Sequence, residues 1–293
     1  MNNQLTVRLR ENMPGFSKGQ RLIACYIEEH YEEAAFMTAA KFGATVGVSE
    51  STVVRFATEL GYAGYPELQR AMQEMIRSRM TFVQRLEMTE KTCPPNEILR
   101  TVLNRDIDII RRTIDETSHP EFYRAVQAVV SAKTVYLIGT RSSHALASFL
   151  AYYFNLLFEH VQLINASGEA EMFEQMIHIG SQDAVVGISF PRYSKRAVKA
   201  LQFASSRGAR VVAITDSMRS PLAEPAEFVL LARSEMASFV DSLVAPLSLI
   251  NAFIVACALQ KKEEAKMVFH SLEDIWDQYG VYEKVDEKSG ETV

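Results

Sequence analysis

Five short apolar runs in the second half of the chain constrain its fold more than any other feature. Each is about one strand long and rich in β-branched residues: VYLIG (135–139), VQLIN (161–165), AVVGISF (184–190), RVVAIT (210–215) and FVLLA (228–232). Uniformly apolar runs are typical of parallel strands that are covered on both faces. Helical patterns separate the runs, so the alternation predicts a doubly wound α/β domain with a five-stranded parallel sheet.

The first 80 residues have helical patterns and no strand-like run. The fold class we predict is therefore α plus α/β, with an N-terminal all-α domain joined to the sheet domain. Cys93-Pro94-Pro95 interrupts a charged helical stretch between them, because proline blocks helix continuation. We assign residues 1–80 to the helical domain, 81–120 to a helical linker, 121–265 to the α/β domain and 266–293 to a C-terminal helix and mobile tail.

The segment VGVSESTVVRFATELGY (46–62) has the pattern of a helix-turn-helix. Gly47 suits the tight turn and Ser49 suits the N-cap of the second helix. One face of that helix is apolar, and the other carries short hydrogen-bonding residues with one cation, which suits the DNA major groove. Lysines elsewhere in the domain suit phosphate contacts. The predicted DNA-binding residues are Ser49, Ser51, Thr52, Arg55, Lys18 and Lys41.

Charge and cysteine content bound the function classes. The net charge is −5, so no global basic field indicates nucleic acid, and residues 14–80 carry seven Lys and Arg against eight Glu. A small DNA-binding domain depends on local charge placement and is not excluded. Three widely separated cysteines fit neither a disulfide framework nor a Cys-rich zinc site. We expect a cytoplasmic protein, because the cysteines suit a reducing compartment and the N-terminus is too polar for a signal peptide. We predict no cofactor and no metal.

An uncharged stretch at residues 242–259 approaches the length of a membrane span. It contains Pro246 and Asn251 and follows the α/β pattern, so we interpret it as a buried or dimer-forming helix. The helix predicted at 239–260 is the candidate contact for a homodimer or homotetramer, because a monomer would leave it poorly covered. A membrane-tethered sensor is the alternative for this segment.

The helix-turn-helix segment resembles the DNA-reading segment of RpiR-type bacterial transcriptional regulators. That family combines VS-x-x-TV-x-RF, LG and G-[FY]-x-x-L. The matching residues here are Val48, Ser49, Thr52, Val53, Arg55, Phe56, Leu60, Gly61, Gly64, Tyr65 and Leu68. The resemblance covers most of residues 5–80 and implies double-stranded operator DNA as a partner.

Residues 122–260 resemble the SIS (sugar isomerase) domain of the same regulators. SIS enzymes have a G-x-G-x-S loop after the first strand and S-x-S-G-x-T after the third. Here Arg141 stands at the second glycine of the first loop, while Pro191, Arg192 and Ser194 replace serine, glycine and threonine in the other. The resemblance implies a sugar-phosphate effector.

Serine hydroxyls and helix N-termini bind phosphate, and arginine adds a charge-assisted contact. The predicted ligand-binding residues are Ser142, Ser143, Ser189, Arg192, Ser194 and Arg141. The alternative is that the serines in these turns only cap helices.

Catalysis is a separate question, because aldose–ketose isomerisation needs a positioned base with a tuned pKa. The candidates are His144, Glu169, Glu171 and His178, and each is equally well explained as a structural or solvated residue. We predict no catalytic residue and a DNA-binding regulator that senses a sugar phosphate. The alternative is a phosphosugar isomerase or lyase with an N-terminal helical dimerisation module, which the acidic balance of residues 14–80 favours.

Overall fold

The computed structural model describes residues 4–79, 81–235 and 240–282. The chain divides into two compact units, Met1–Thr92 and Cys93–Val293. The helical stretch between the two halves is interrupted at Pro94 and Pro95, where the sequence predicts a break. The boundaries of the four predicted segments remain predictions.

Helices make up the first unit in the part of it that the structure describes. They are α1 (Gln4–Asn12), α2 (Lys18–Ala34), α3 (Ala39–Val46), α4 (Glu50–Glu59), α5 (Tyr65–Arg79) and α6 (Phe82–Thr92). Ser17 and Gln20 form a capping box at the start of α2. Helix α1 is an addition to the helices predicted from the sequence, and its Leu5 and Leu9 are buried in the same core as Phe42 and Phe56.

The second unit alternates helices and strands. Its elements are α7 (Ile98–Glu116), α8 (His119–Val130), β1 (Val135–Gly139), α9 (Ser142–Phe154), β2 (Val161–Leu163), α10 (Glu169–Gln175), β3 (Ala184–Ile188), α11 (Lys195–Ser206), β4 (Arg210–Thr215), β5 (Phe228–Leu231), α12 (Val244–Gln260) and α13 (Lys262–Tyr279). All neighbouring strands are parallel, in the order β2-β1-β3-β4-β5. The predicted five-stranded doubly wound sheet is confirmed.

Side chains alternate between the two covered faces of the sheet. On one face Leu137 and Val186 lie in a core cluster with residues of α8, α9 and α12. On the other face Ile138 and Val185 lie in a cluster with residues of α10 and α11. Both faces are therefore buried by helices, which explains why the strands are apolar at nearly every position.

The long apolar helix begins at Val244, and Phe239, where its start is predicted, lies outside the described residues. One face of α12 is buried in the sheet core through residues such as Leu249 and Phe253, whereas Val255 and Leu259 are 57% and 66% exposed. Across the described ranges no single helix is long and apolar enough to cross a membrane; α12 and α13 reach that length and composition only together, with a bend of 101° between them.

Candidate functional site

Helix α4 is held at its N-terminus by a tight turn from α3. Gly47 has a φ of 74° and ends α3. A Cβ atom at Gly43 would lie 2.7 Å from the Val48 carbonyl oxygen, so α3 packs directly on the turn. Ser49 caps α4 as predicted, because its Oγ accepts a hydrogen bond of 3.3 Å from the Thr52 N–H. The turn thus fixes where the first residues of α4 lie.

The two faces of α4 are distinct. Val53, Phe56 and Ala57 are fully buried, and the opposite face exposes Ser51 and Arg55. The predicted hydroxyl residues lie together: Ser49 Oγ is 2.9 Å from Ser51 Oγ and 2.8 Å from Thr52 Oγ1. Arg55 lies about one turn further along the helix, with no hydrogen bond or ion pair to any described residue.

The two predicted lysines are exposed and lie on the neighbouring helices. Lys18 opens α2 beside Gly19, where a Cβ would lie 3.3 Å from Val48 and 3.6 Å from Thr52. The N-terminus of α2 therefore contacts the start of α4. Lys41 is on α3, two residues before Gly43.

Arg8, which the sequence analysis did not single out, supports the other end of α4. Its guanidinium donates a hydrogen bond of 2.7 Å to the Leu60 carbonyl and lies 4.9 Å from the centre of the Tyr62 ring. The C-terminal carbonyls of a helix lack intrahelical partners and carry partial negative charge. Arg8 therefore caps α4, and no local sequence pattern pairs residues 52 positions apart.

The two predicted serine turns leave the same edge of the sheet. In the parallel pair β1–β3, Gly139 and Ile188 are register partners, and the loops to α9 and α11 begin directly after them. Ligands of doubly wound folds bind at this carboxyl edge. We call the space between these loops the crevice.

Gly139 allows β1 to pass very close to the start of α9. A Cβ at this position would lie 2.3 Å from the Ser143 carbonyl oxygen. Only a residue without a side chain therefore fits between the strand end and the helix.

Two nearly buried serines border the crevice, Ser143 in the first turn of α9 and Ser189 directly after β3. Ser143 is 5% exposed and Ser189 is 4% exposed. The Ser143 hydroxyl has no hydrogen-bond partner in the described part of the chain, and Ser189 Oγ accepts 3.1 Å from the Ser194 N–H without donating to any described residue. Both hydroxyls thus keep a donor for a bound group. Ser194 caps α11 through a 3.3 Å bond from the Ala197 N–H, and Ser142 is exposed at the start of α9.

Arg141 and Arg192 are the non-glycine residues with positive φ among those described, at 56° and 62°. Each stands where the SIS loop pattern has glycine. Such a backbone costs a non-glycine residue on the order of 1–3 kcal/mol. Both side chains are exposed, so the two predicted arginines lie outside the buried serines.

Asp216, at the end of β4, borders the β3 loop. Tyr193 of that loop donates a hydrogen bond of 2.8 Å from its hydroxyl to Asp216 Oδ1. Burial raises the pKa of the Asp216 carboxyl, and the hydrogen bond from Tyr193 opposes this shift. The sequence analysis missed both residues, because nothing in the local pattern indicates that they meet.

Two of the candidate bases are held in contacts of their own. Glu169 accepts a hydrogen bond from Lys199 at 2.5 Å, which lowers the pKa of that carboxyl. Glu171 accepts a hydrogen bond of 2.7 Å from the Ser167 N–H. His144 is half-buried in the first turn of α9, and His178 is exposed beyond the end of α10. A general base near neutral pH needs a raised carboxyl pKa, which is the opposite of the shift at Glu169.

Two family models match the chain. The helix-turn-helix domain of the rpiR family matches residues 3–79, and the SIS domain matches residues 129–256.

Curated relatives are similar over most of the chain. The HTH-type transcriptional regulator RpiR of Escherichia coli is 23% identical over 230 residues, covering 76% of this chain and 75% of the relative. HexR of Pseudomonas aeruginosa, also an HTH-type transcriptional regulator, is 24% identical over 222 residues, or 75% of each chain.

Solved structures have a similar fold. The sugar isomerase domain of an RpiR transcription factor from Sphaerobacter thermophilus has a TM-score of 0.58 at 27% identity, covering 61% of this chain and 99% of that one. The Vibrio vulnificus NanR protein complexed with ManNAc-6P has a TM-score of 0.56 at 23% identity, covering 94% of this chain and 99% of that one. With an rpiR-family helix-turn-helix domain followed on one chain by a SIS domain, this protein belongs to the RpiR-type transcriptional regulators.

Proposed function

We propose that the protein binds operator DNA through α4 and that a phosphorylated sugar in the crevice modulates this binding. The observation that carries the proposal is the surface of α4: its apolar face is fully buried, and its polar face presents hydroxyls and Arg55 to solvent. A helix in the major groove needs such a face, because base edges are read by hydrogen bonds.

The distribution of charge around α4 supports DNA binding despite the acidic balance of the domain. Lys18 lies at the N-terminal end of α2, which contacts the start of α4. The exposed Glu28 and Glu29 lie ten or more residues further along α2, which is about 15 Å in a helix. The carboxylates of Glu28 and Glu29 are thus removed from the DNA-facing end, where Lys18 and Lys41 would bind phosphates, and Glu50 is the acidic residue in the first turn of α4.

Arg55→Ala tests the DNA interface. We expect it to weaken specific binding by ~1–3 kcal/mol, or about 5- to 150-fold, if Arg55 makes a bidentate base contact. The measurement is fluorescence anisotropy with labelled DNA from directly upstream of the gene, at physiological salt and with non-specific competitor. Arg10→Ala is the matched control, because Arg10 is exposed on α1. Unchanged affinity of the Arg55 variant would remove this residue from the interface.

The crevice suits the phosphate of the effector. Ser143 and Ser189 each keep a hydroxyl donor at a nearly buried position. The N-terminus of α9 has no side-chain cap from Arg141. Hydroxyl donors and free helix N-termini bind anions, because backbone N–H groups and the helix dipole both favour negative charge.

Ser143→Ala tests the crevice. Its hydroxyl has no partner to lose among the described residues, so we expect a small change in stability and a loss of the effector response in the anisotropy assay. Ser205→Ala, an exposed position near the C-terminal end of α11, is the control. The effector is first identified by titrating the protein–DNA complex with sugar phosphates. A variant that keeps the full response would place the phosphate elsewhere.

We propose binding without turnover. Glu169 and Glu171 already accept hydrogen bonds from Lys199 and Ser167, so neither is an unengaged base. Incubation of the protein with the same sugar phosphates, followed by NMR of the sugars, should show no isomerisation or elimination. Turnover of any of them would favour the phosphosugar isomerase or lyase.

We also propose that the regulator is cytoplasmic. It acts as a homodimer or homotetramer, because paired half-sites raise the affinity and specificity of helix-turn-helix proteins for DNA. The exposed Val255 and Leu259 of α12 are the candidate contact. An apolar groove of about 330 Å³ nearby is lined by α7, α8 and α12, including Phe122 and Leu249. Light scattering should give at least a dimer at micromolar concentration, and a monomer would contradict this assignment.

A further inference from the structure

Two arginines hold glycine-like backbone conformations at the mouth of the crevice. Arg141 (φ 56°, ψ −127°) directly precedes α9, and Arg192 (φ 62°) lies in the loop before α11. Glycine adopts positive φ without a steric penalty, so glycine would be the more stable residue at either position. Strained residues of this kind cluster at functional sites, where the side chain has a role that glycine could not fill.

The exposure of the side chains increases from the inside of the crevice, its floor, to its outer edge, its rim. Ser143 and Ser189 are at most 5% exposed and form the floor. Arg141, Arg192 and Lys195 are exposed and form the rim. A phosphate bound by the floor hydroxyls would leave the other end of a sugar chain beside the rim.

The rim is positively charged, since Arg141, Arg192 and Lys195 lie at or just before the starts of α9 and α11. Arg141 makes no hydrogen bond or ion pair with the part of the chain that the structure describes, whereas Lys195 lies close enough to the Glu169 carboxylate to lower its pKa. Neighbouring Arg196 differs, because it donates to the Ser167 carbonyl at 2.9 Å and is a structural contact. A guanidinium binds carboxylate or phosphate through two parallel hydrogen bonds.

We propose that the crevice selects effectors with a second anionic group, a carboxylate or a second phosphate, at the end of the molecule away from the bound phosphate, and that Arg141 and Arg192 bind this group. The inference rests on the proposed function of the crevice as a sugar-phosphate site. It names a narrower ligand class, phosphorylated sugar acids and sugar bisphosphates.

The test compares matched ligands by isothermal titration calorimetry on the full chain. Glucose 6-phosphate is paired with 6-phosphogluconate, and fructose 6-phosphate with fructose 1,6-bisphosphate, so that each pair adds one anionic group. We expect the doubly anionic member of at least one pair to bind 10-fold or more tightly than its partner. A preference for 6-phosphogluconate would identify a carboxylate, and a preference for the bisphosphate a second phosphate.

Arg141→Gly and Arg192→Gly should each reduce that preference to less than about 3-fold. Each should also raise the melting temperature of the ligand-free protein by about 2 °C or more, because glycine relieves the strain. A merely structural arginine would lower it. Arg207→Gly, at the opposite end of α11, is the matched control and should keep the preference.

The outcomes separate this inference from the proposed function. Equal binding within both pairs, or a preference that survives both arginine variants, would overturn the inference and leave the sugar-phosphate site intact. Binding of none of the four ligands would overturn both.

Discussion

Replacing Gly139 by alanine should destabilise the second unit through a backbone clash. The added Cβ would lie 2.3 Å from the Ser143 carbonyl oxygen and 2.8 Å from its carbonyl carbon, whereas ordinary contact begins near 3.4 Å. The start of α9 would have to retreat by about 1 Å. Overpacking of this kind costs typically 1–3 kcal/mol. We expect the upper end, about 3 kcal/mol, because the obstacle is helix backbone and not a flexible side chain.

A loss of about 3 kcal/mol in a unit of this size corresponds to a fall in melting temperature of roughly 6–12 °C. Differential scanning calorimetry of the full chain measures it. Gly180→Ala is the control, since no atom lies within 4 Å of the added Cβ, and it should change stability by less than about 1 kcal/mol. The same shift would move Ser143 relative to the crevice, so the Gly139 variant should also lose the stabilisation by the effector. If the two variants melt alike, the close contact between β1 and α9 is wrong.

Two further substitutions test contacts outside the serine turns. Arg8→Ala removes the bond to the Leu60 carbonyl, so urea denaturation should show a loss of about 1–3 kcal/mol from the first unit; Arg10→Ala, on the same helix, should change it by less than ~0.5 kcal/mol, and equal losses would argue against the cap. Asp216→Asn keeps an acceptor for Tyr193 and removes a carboxyl whose pKa burial raises. The wild type loses stability as the pH rises through that raised pKa, so the variant should melt higher at neutral pH, with an advantage that fades as the pH falls toward the ordinary value of 3.8; a constant difference across the range would contradict the assigned cause.

The sequence predicted the elements whose signals are local. Strands β1 and β4 coincide with their apolar runs, because uniform burial leaves a continuous pattern. The capping box at Ser17, the turn at Gly47 and the apolar face through Phe56 are likewise written in neighbouring residues. The serine turns could be placed at one sheet edge for the same reason, since parallel strands bring their carboxyl ends together.

The features that the sequence did not disclose depend on distant contacts. Helix α1 has few apolar residues and is stabilised by burying Leu5 and Leu9 against a core formed by later helices. Helix α8 was also missed, although Ser118 caps it and Pro120 lies in its first turn. The contact between Tyr193 and Asp216 joins the ends of two loops. The positive φ of Arg141 is invisible locally, because arginine does not indicate such a backbone.

The crevice has two walls, formed by β1 with α9 and by β3 with α11, and they differ in rigidity. The β1–α9 wall is a contact of backbone on backbone at Gly139, which leaves no room for relative movement. In the β3–α11 wall, Gly187 faces the side chain of Leu201, and the loop is held by a 3.1 Å bond between the Ser194 N–H and Ser189 Oγ. We therefore expect the first wall to act as a fixed reference edge and an arriving phosphate to displace α11 against it. Hydrogen exchange should slow on effector binding in α11 more than in α9. The far end of α11 is then the part of the second unit that moves when the effector binds.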